Sequence, residues 1–185
     1  VRKAVSDSDY VAHKLEILKK YDLKCWALGA HLSGQCVGDE DDPRLLTFAP
    51  DELKETPEKI SAWATEEMIF TAQAAEKMGC YVVTGFMGSS IWKYLYSFPP
   101  NSDEQIEEGY QKVLKLWTPI FDEFDKCKIK FALEVHPSEI AYDFYTTEHL
   151  FKVFNKRSTL GLNFDPSHLV WQGVDPKIFV REFAD

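Results

Sequence analysis

Four short apolar runs, each ending in a polar or turn-forming residue and each separated from the next by a helical pattern, are the feature that most limits this chain. They are Lys24–Ala30 (KCWALGA), Cys80–Gly85 (CYVVTG), Lys130–Val135 (KFALEV) and Leu160–Phe164 (LGLNF). Runs this brief that are apolar on both faces suit parallel strands buried between helices, not half-exposed antiparallel ones. Between them the apolar residues recur at three- and four-residue steps. One such stripe is Ile60, Ala64, Met68, Ala72 and Ala75, with Gly79 as a stop. A second follows the N-cap Ser102 as Ile106, Tyr110, Val113, Leu114, Trp117, Phe121 and Phe124, and Pro119 is expected to bend it. Further helices are expected at Asp9–Lys20, from Thr147 to about Asn155, and from Pro176.

Strict alternation of helix and strand argues for one parallel sheet with helical crossovers. An open doubly wound sheet would carry a glycine-rich phosphate loop at a strand-to-helix turn, and none of the four turns has GxGxxG or a P-loop pattern. The fold class expected is therefore α/β, a partial (β/α)8 TIM barrel. No composition break divides the chain, so 1–185 reads as a single domain. The opening Val-Arg-Lys-Ala-Val has neither an initiator Met nor a signal-peptide core, and the last residues look like a helix cut before its next strand. Both features lead to the expectation of an internal barrel fragment.

Charge narrows the partners. Lys and Arg total 21 against 30 Asp and Glu, a net charge of −9. Nucleic acid and anionic membrane surfaces are recognised by clustered basic residues, so neither is expected as a partner, whereas a small sugar or sugar phosphate needs only a few local donors. The acidic run Asp39-Glu40-Asp41-Asp42 reads as a solvated loop. Cys25, Cys36, Cys80 and Cys127 form no CxxC pair and read as reduced, packed thiols of a cytoplasmic protein. No apolar stretch reaches the roughly 20 residues of a membrane span. Oligomeric state is not legible.

Function in parallel α/β proteins gathers at the carboxyl ends of strands. Those ends hold His31, Thr84 with Gly85, Glu134 with His136, and Asp165 with His168. An unpaired carboxylate on a strand buried on both faces loses several kcal/mol of hydration. Glu134 therefore requires either a Lys or Arg partner from a neighbouring strand, or a metal ion. Asp165, in Asn163-Phe-Asp-Pro-Ser-His168, is either a helix cap before Pro166 or a ligand whose following turn returns His168 over it. His31 and His136 are candidate substrate contacts, and Trp92 a candidate wall for a sugar ring. The small, polar turn Gly85–Ser90 offers backbone N–H groups to a phosphate. Carboxylates and imidazole around an open site suit Mn2+, Mg2+ or Co2+, with Zn2+ also compatible. Such an ion would hold a ketose carbonyl and hydroxyl while a carboxylate moves a proton.

The strings ALEVHP, LNFDPSHL and GAHLSGQ resemble the sugar phosphate isomerase/epimerase superfamily, the xylose isomerase-like barrels that include tagatose and psicose 3-epimerases, hydroxypyruvate isomerase and inosose dehydratase. The resemblance runs from Lys24 onward, and its most specific part is a strand-end Glu followed by D-x-x-H. It implies four metal ligands, a Glu, an Asp, a His and a second Glu, from barrel strands five to eight. Glu134 would be the first Glu and also an acid/base, Asp165 the Asp, and His168 a contact to substrate oxygen. The strands present would be about the third to the sixth. No counterpart of the remaining His and Glu follows Asp165, so the fragment alone is expected to be inactive and to hold metal weakly. The implied activity is metal-dependent isomerisation or epimerisation of a sugar or sugar phosphate through an enediolate. Alternatives are an inosose-dehydratase-type lyase, an endonuclease IV-like nuclease, which the acidic charge disfavours, and a non-catalytic sugar-binding barrel.

Overall fold

The computed structural model describes residues 1–39, 43–94 and 97–184. In chain order the elements are α1 (Arg2–Ser6), α2 (Ser8–Lys20), β1 (Ala27–Gly29), α3 (His31–Gly38), α4 (Ile60–Met78), β2 (Val82–Gly85), α5 (Asp103–Lys126), β3 (Lys130–Glu134), α6 (Phe144–Val153), β4 (Leu160–Asn163), α7 (Pro166–Trp171) and α8 (Pro176–Phe183). Single 3-10 turns lie at Pro43–Thr47, Asp51–Leu53, Pro57–Lys59 and Trp92–Tyr94.

The four strands form one parallel sheet in the order β1-β2-β3-β4. Sequential order without reversal is the pattern of a barrel arc, because a doubly wound sheet changes direction at a switch point. The sheet register places Gly29, Thr84 and Ala132 level, and Glu134 directly beside Asn163. All four strand ends thus open on the same rim.

Local sequence explains most boundaries. Ser102 caps α5 through a capping box with Gln105, and Asp143 caps α6 in the same way with Thr146. That second box starts α6 three residues before the expected Thr147. Gly79, at φ 71°, closes α4 in the left-handed conformation that glycine adopts without a Cβ penalty. Helix α5 stays one continuous element across Pro119, which withholds only the N–H that would reach the Lys115 carbonyl. The main core lies between α4, α5 and the sheet. There Trp117, Phe121, Phe124 and Phe131 are fully buried, with ring centroids 4.8–6.3 Å apart.

Two expectations are corrected. A helix, α3, directly follows β1 where only a loop was foreseen. Its sequence, HLSGQCVG, lacks an amphipathic stripe because two of its contacts are made by glycines. A Cβ at Gly34 or Gly38 would overlap the carbonyl oxygens of Phe86 or Met87, so these positions let the helix lie directly on the chain after β2. Asp39, read as the start of a solvated acidic loop, is buried at 4% exposure and accepts hydrogen bonds from Gln35 Nε2 (2.6 Å) and the Ser89 amide (2.5 Å). The rest of that run lies outside the described residues. The cysteines agree with expectation: all four are free, and burial pushes the Cys36 thiol up to about 12 and those of Cys80 and Cys127 to about 11. No helix among the described residues is long and apolar enough to cross a membrane.

Candidate functional site

Glu134 is the last residue of β3, and its carboxylate is about 15% exposed. Oε2 accepts from Asn163 Nδ2 at 2.8 Å and faces His31 Nε2 at 3.2 Å; Oε1 faces His168 Nε2 at 3.3 Å. Among the described residues, its ion-pair partners are therefore imidazoles, and neither a Lys nor an Arg neutralises it. Unlike Lys or Arg, these partners carry charge only when protonated. The Asn163 contact was not foreseen. It follows from the register, which sets residues 134 and 163 side by side at the sheet edge.

Asp165 serves two environments with its two oxygens. Oδ1 caps α7 by accepting the Ser167 amide at 2.8 Å, while Oδ2 lies 3.6 Å from His168 Nε2. The cap reading of this residue describes Oδ1, while Oδ2 faces the imidazole that the following turn brings back. Its pKa is lowered, first by the hydrogen bonds from Ser167 and then by the nearby His168 and His136. Because α7 begins at Pro166, His168 falls one turn later and returns over the carboxylates.

One ligand atom each from Glu134, Asp165 and His168 lies within 4.8 Å of the other two. Donors about 2.0–2.2 Å from a shared ion are separated by at most about 4.4 Å, so a small inward movement would bring all three onto a single divalent cation. Two carboxylates and an imidazole also match the donor chemistry of such ions. The arrangement thus fits the expected metal, and it adds His168, expected as a substrate contact, to the possible ligands.

The remaining candidates divide. His31 begins α3 and meets Glu134 directly. His136 packs its ring 4.2 Å from that of His168 and 4.9 Å from Phe86, and Phe86 in turn meets His31 at 4.8 Å. Burial holds the His136 pKa below the usual imidazole value, favouring the neutral ring. Phe86, which sequence reasoning passed over, therefore spaces two of the histidines. Gly85 lies beside the Ala30 backbone, where a Cβ would sit 3.2 Å from its carbonyl, so its observed role is close packing. In the turn after it, the Met87 and Gly88 amides donate to Glu139 and the Ser89 amide to Asp39, so protein carboxylates hold these three groups rather than leaving them to a phosphate. Trp92 stacks on Arg44 at 4.5 Å and lines a separate small pocket with Ile106, Tyr110 and Tyr142. None of Glu134, Asp165 or the three histidines lines that pocket.

A sheet of this order with these rim residues can be compared with known proteins. The family model of the xylose isomerase-like TIM barrel matches residues 2–185. The chain belongs to that family. In sequence it is 35% identical over 94 residues to the uncharacterised Bacillus subtilis protein YfiH, a match covering 49% of this chain and 29% of YfiH. Its fold is similar to that of a D-tagatose 3-epimerase-like protein, with a TM-score of 0.64 at 16% identity, covering 95% of this chain and 57% of the other. It is also similar to IolI, solved with a bound zinc atom, with a TM-score of 0.53 at 20% identity, covering 90% of this chain and 52% of IolI. The chain thus spans little more than half of these structures and less than a third of YfiH. Family membership and the four-stranded parallel arc agree with the expected fold class.

Proposed function

We propose that this chain carries the proton-transfer half of a metal-dependent isomerase or epimerase acting on a sugar or sugar phosphate. The observation that supports the reading best is the Glu134 carboxylate, mostly buried at a strand end, with Asn163, His31 and His168 as its partners among the described residues. In this reading Glu134 and Asp165 hold a divalent cation, Mn2+, Mg2+, Co2+ or Zn2+, with His168 Nε2 as the third donor of this chain. A bound ion of this kind supplies Lewis acidity toward a carbonyl oxygen and the hydroxyl beside it. The zinc atom in IolI supports the presence of a metal in this fold but not its identity here.

The chain's own residues perform the rest. Asn163 and His31 fix one oxygen of Glu134, leaving the carboxylate aimed from the strand end into the rim. As an anion it takes the proton from the carbon next to the substrate carbonyl; in an isomerisation it returns that proton as the acid to the neighbouring carbon, whereas an epimerisation requires a second acid to protonate the same carbon from the opposite face. His31 and His136 stand beside Glu134 and His168 at the rim, and imidazole nitrogens suit sugar hydroxyls that both donate and accept. Gly85 contributes by keeping β2 close to the β1 end. Trp92, set apart beside Arg44, is assigned no substrate contact.

Exchange with solvent tests this chemistry. A ketose substrate incubated in deuterium oxide with the complete protein that contains this chain should gain deuterium at the carbon next to the carbonyl. Glu134→Gln, which preserves shape but cannot accept a proton, should reduce that incorporation by at least about a hundredfold. Full incorporation by the variant would refute the assignment of Glu134.

A further inference from the structure

Five residues after Glu134, the chain buries a second carboxylate that the proposed chemistry does not use. Glu139 is 1% exposed. Its Oε2 accepts two consecutive amides, from Met87 at 2.8 Å and Gly88 at 2.9 Å, while Oε1 has no hydrogen-bond partner among the described residues. A carboxyl group placed there gives up its hydration, and two amide contacts recover only part of it. An unsatisfied buried oxygen calls for a reason other than packing.

The reason lies in the residue just before the two amides. They follow Phe86, whose ring meets His31 on one side and His136 on the other. His31 contacts Glu134 Oε2, and His136 packs on His168, which contacts Glu134 Oε1. The same segment is seated on α3 through Gly34 and Gly38, and Gly88 takes φ 72° where a Cβ would lie 2.7 Å from the Asp39 amide nitrogen. Glu139 itself sits in the turn that carries His136, closed by the Glu139 amide donating to the His136 carbonyl at 3.1 Å. The carboxylate therefore ties the segment bearing Phe86 to the loop bearing His136. We propose that Glu139 is a positioning residue: through the Met87 and Gly88 amides it fixes the Phe86 ring, and with it the spacing of the imidazoles that bracket Glu134. This inference rests on the reading of Glu134, Asp165 and His168 as a metal-holding group.

The probe is Mn2+ alone, its affinity followed by the electron spin resonance of the free ion, with thermal unfolding recorded in parallel. Groups that orient metal ligands typically alter affinity about 10–100-fold when removed, so Glu139→Ala and Phe86→Ala should each weaken Mn2+ binding by that factor. Glu139→Gln, which keeps an acceptor oxygen, should restore binding to within about threefold of the original. The double variant should be no weaker than the poorer single one, since both act through one ring. Thr159→Val, which removes a fully buried hydroxyl bonded to Asp125 at the opposite end of the sheet, should lower the melting temperature without changing affinity. If Glu139→Ala does not fold, Glu139→Asp, with its oxygens drawn back by one methylene, takes its place and should also weaken binding. Unchanged affinity in Glu139→Ala, or in Glu139→Asp where it takes its place, or additive losses in the double variant, would overturn the proposal. Glu134→Gln separates it from the reading beneath it: if that variant binds Mn2+ normally, both fail, and if it alone loses binding, only the positioning role fails.

Discussion

At the scale of single residues, Asp165 shows how one side chain can answer two demands. Its Oδ1 caps α7 and its Oδ2 faces His168. Asparagine caps helices about as well as aspartate but is a much poorer metal ligand. Asp165→Asn is therefore expected to change unfolding free energy by only a few tenths of a kcal/mol while weakening Mn2+ binding. A loss of about 1 kcal/mol or more with unchanged binding would make the residue a cap alone. Glu139 yields a prediction in pH. Burial pushes its pKa up to about 8 from 4.5, with Asp39 nearby adding to the rise, so the folded state holds this proton more tightly than the unfolded chain. Its contribution is then complete below about 4.5 and is lost as the pH rises through about 8. The melting temperature should fall across that window, and the fall should be shallower in Glu139→Gln, which does not titrate. Equal slopes in the two proteins would show that Glu139 is not the source.

At the scale of elements, helix α3 matters more than its sequence suggests. It carries His31 to the rim and meets the chain after β2 through glycines rather than apolar side chains. Gly34→Ala should therefore destabilise the protein by about 1–3 kcal/mol, measured by denaturant unfolding, although alanine normally favours a helix over glycine. A stabilised variant would mean that α3 does not pack as described. This helix also marks where sequence reasoning stops. The strands and the long helices α4 and α5 were legible because hydrophobic period and caps are local signals. Helix α3 was not, because its stabilising contacts are backbone to backbone across some fifty residues. Strand ends were overrun by one to three residues for a related reason: Trp26 is apolar but exposed, so composition extended β1 where pairing does not.

At the scale of the whole molecule, the parallel arc collects on one rim what the sequence spaces over more than a hundred residues. Glu134, Asp165, His168, His31 and His136 were all legible as strand-end groups, because a charged or polar residue closing an apolar run needs an explanation from sequence alone. Asn163 and Phe86 were not, since the one acts through inter-strand register and the other through the fold of the following turn. Trp92 was named for its type, and the fold carries it to a different pocket beside Arg44. The rim depends on the core beneath it, where Trp117 packs on Phe121 and Phe131 and donates to the Met87 carbonyl at 3.0 Å. The central claim is that the rim groups hold a single divalent ion. Its most direct measurement is a calorimetric titration of the metal-free protein with Mn2+, repeated on Glu134→Gln. One saturable site is expected in the original protein and at least a tenfold loss of affinity in the variant, a cost of about 1.4 kcal/mol or more. An isotherm that Glu134→Gln leaves unchanged would contradict it.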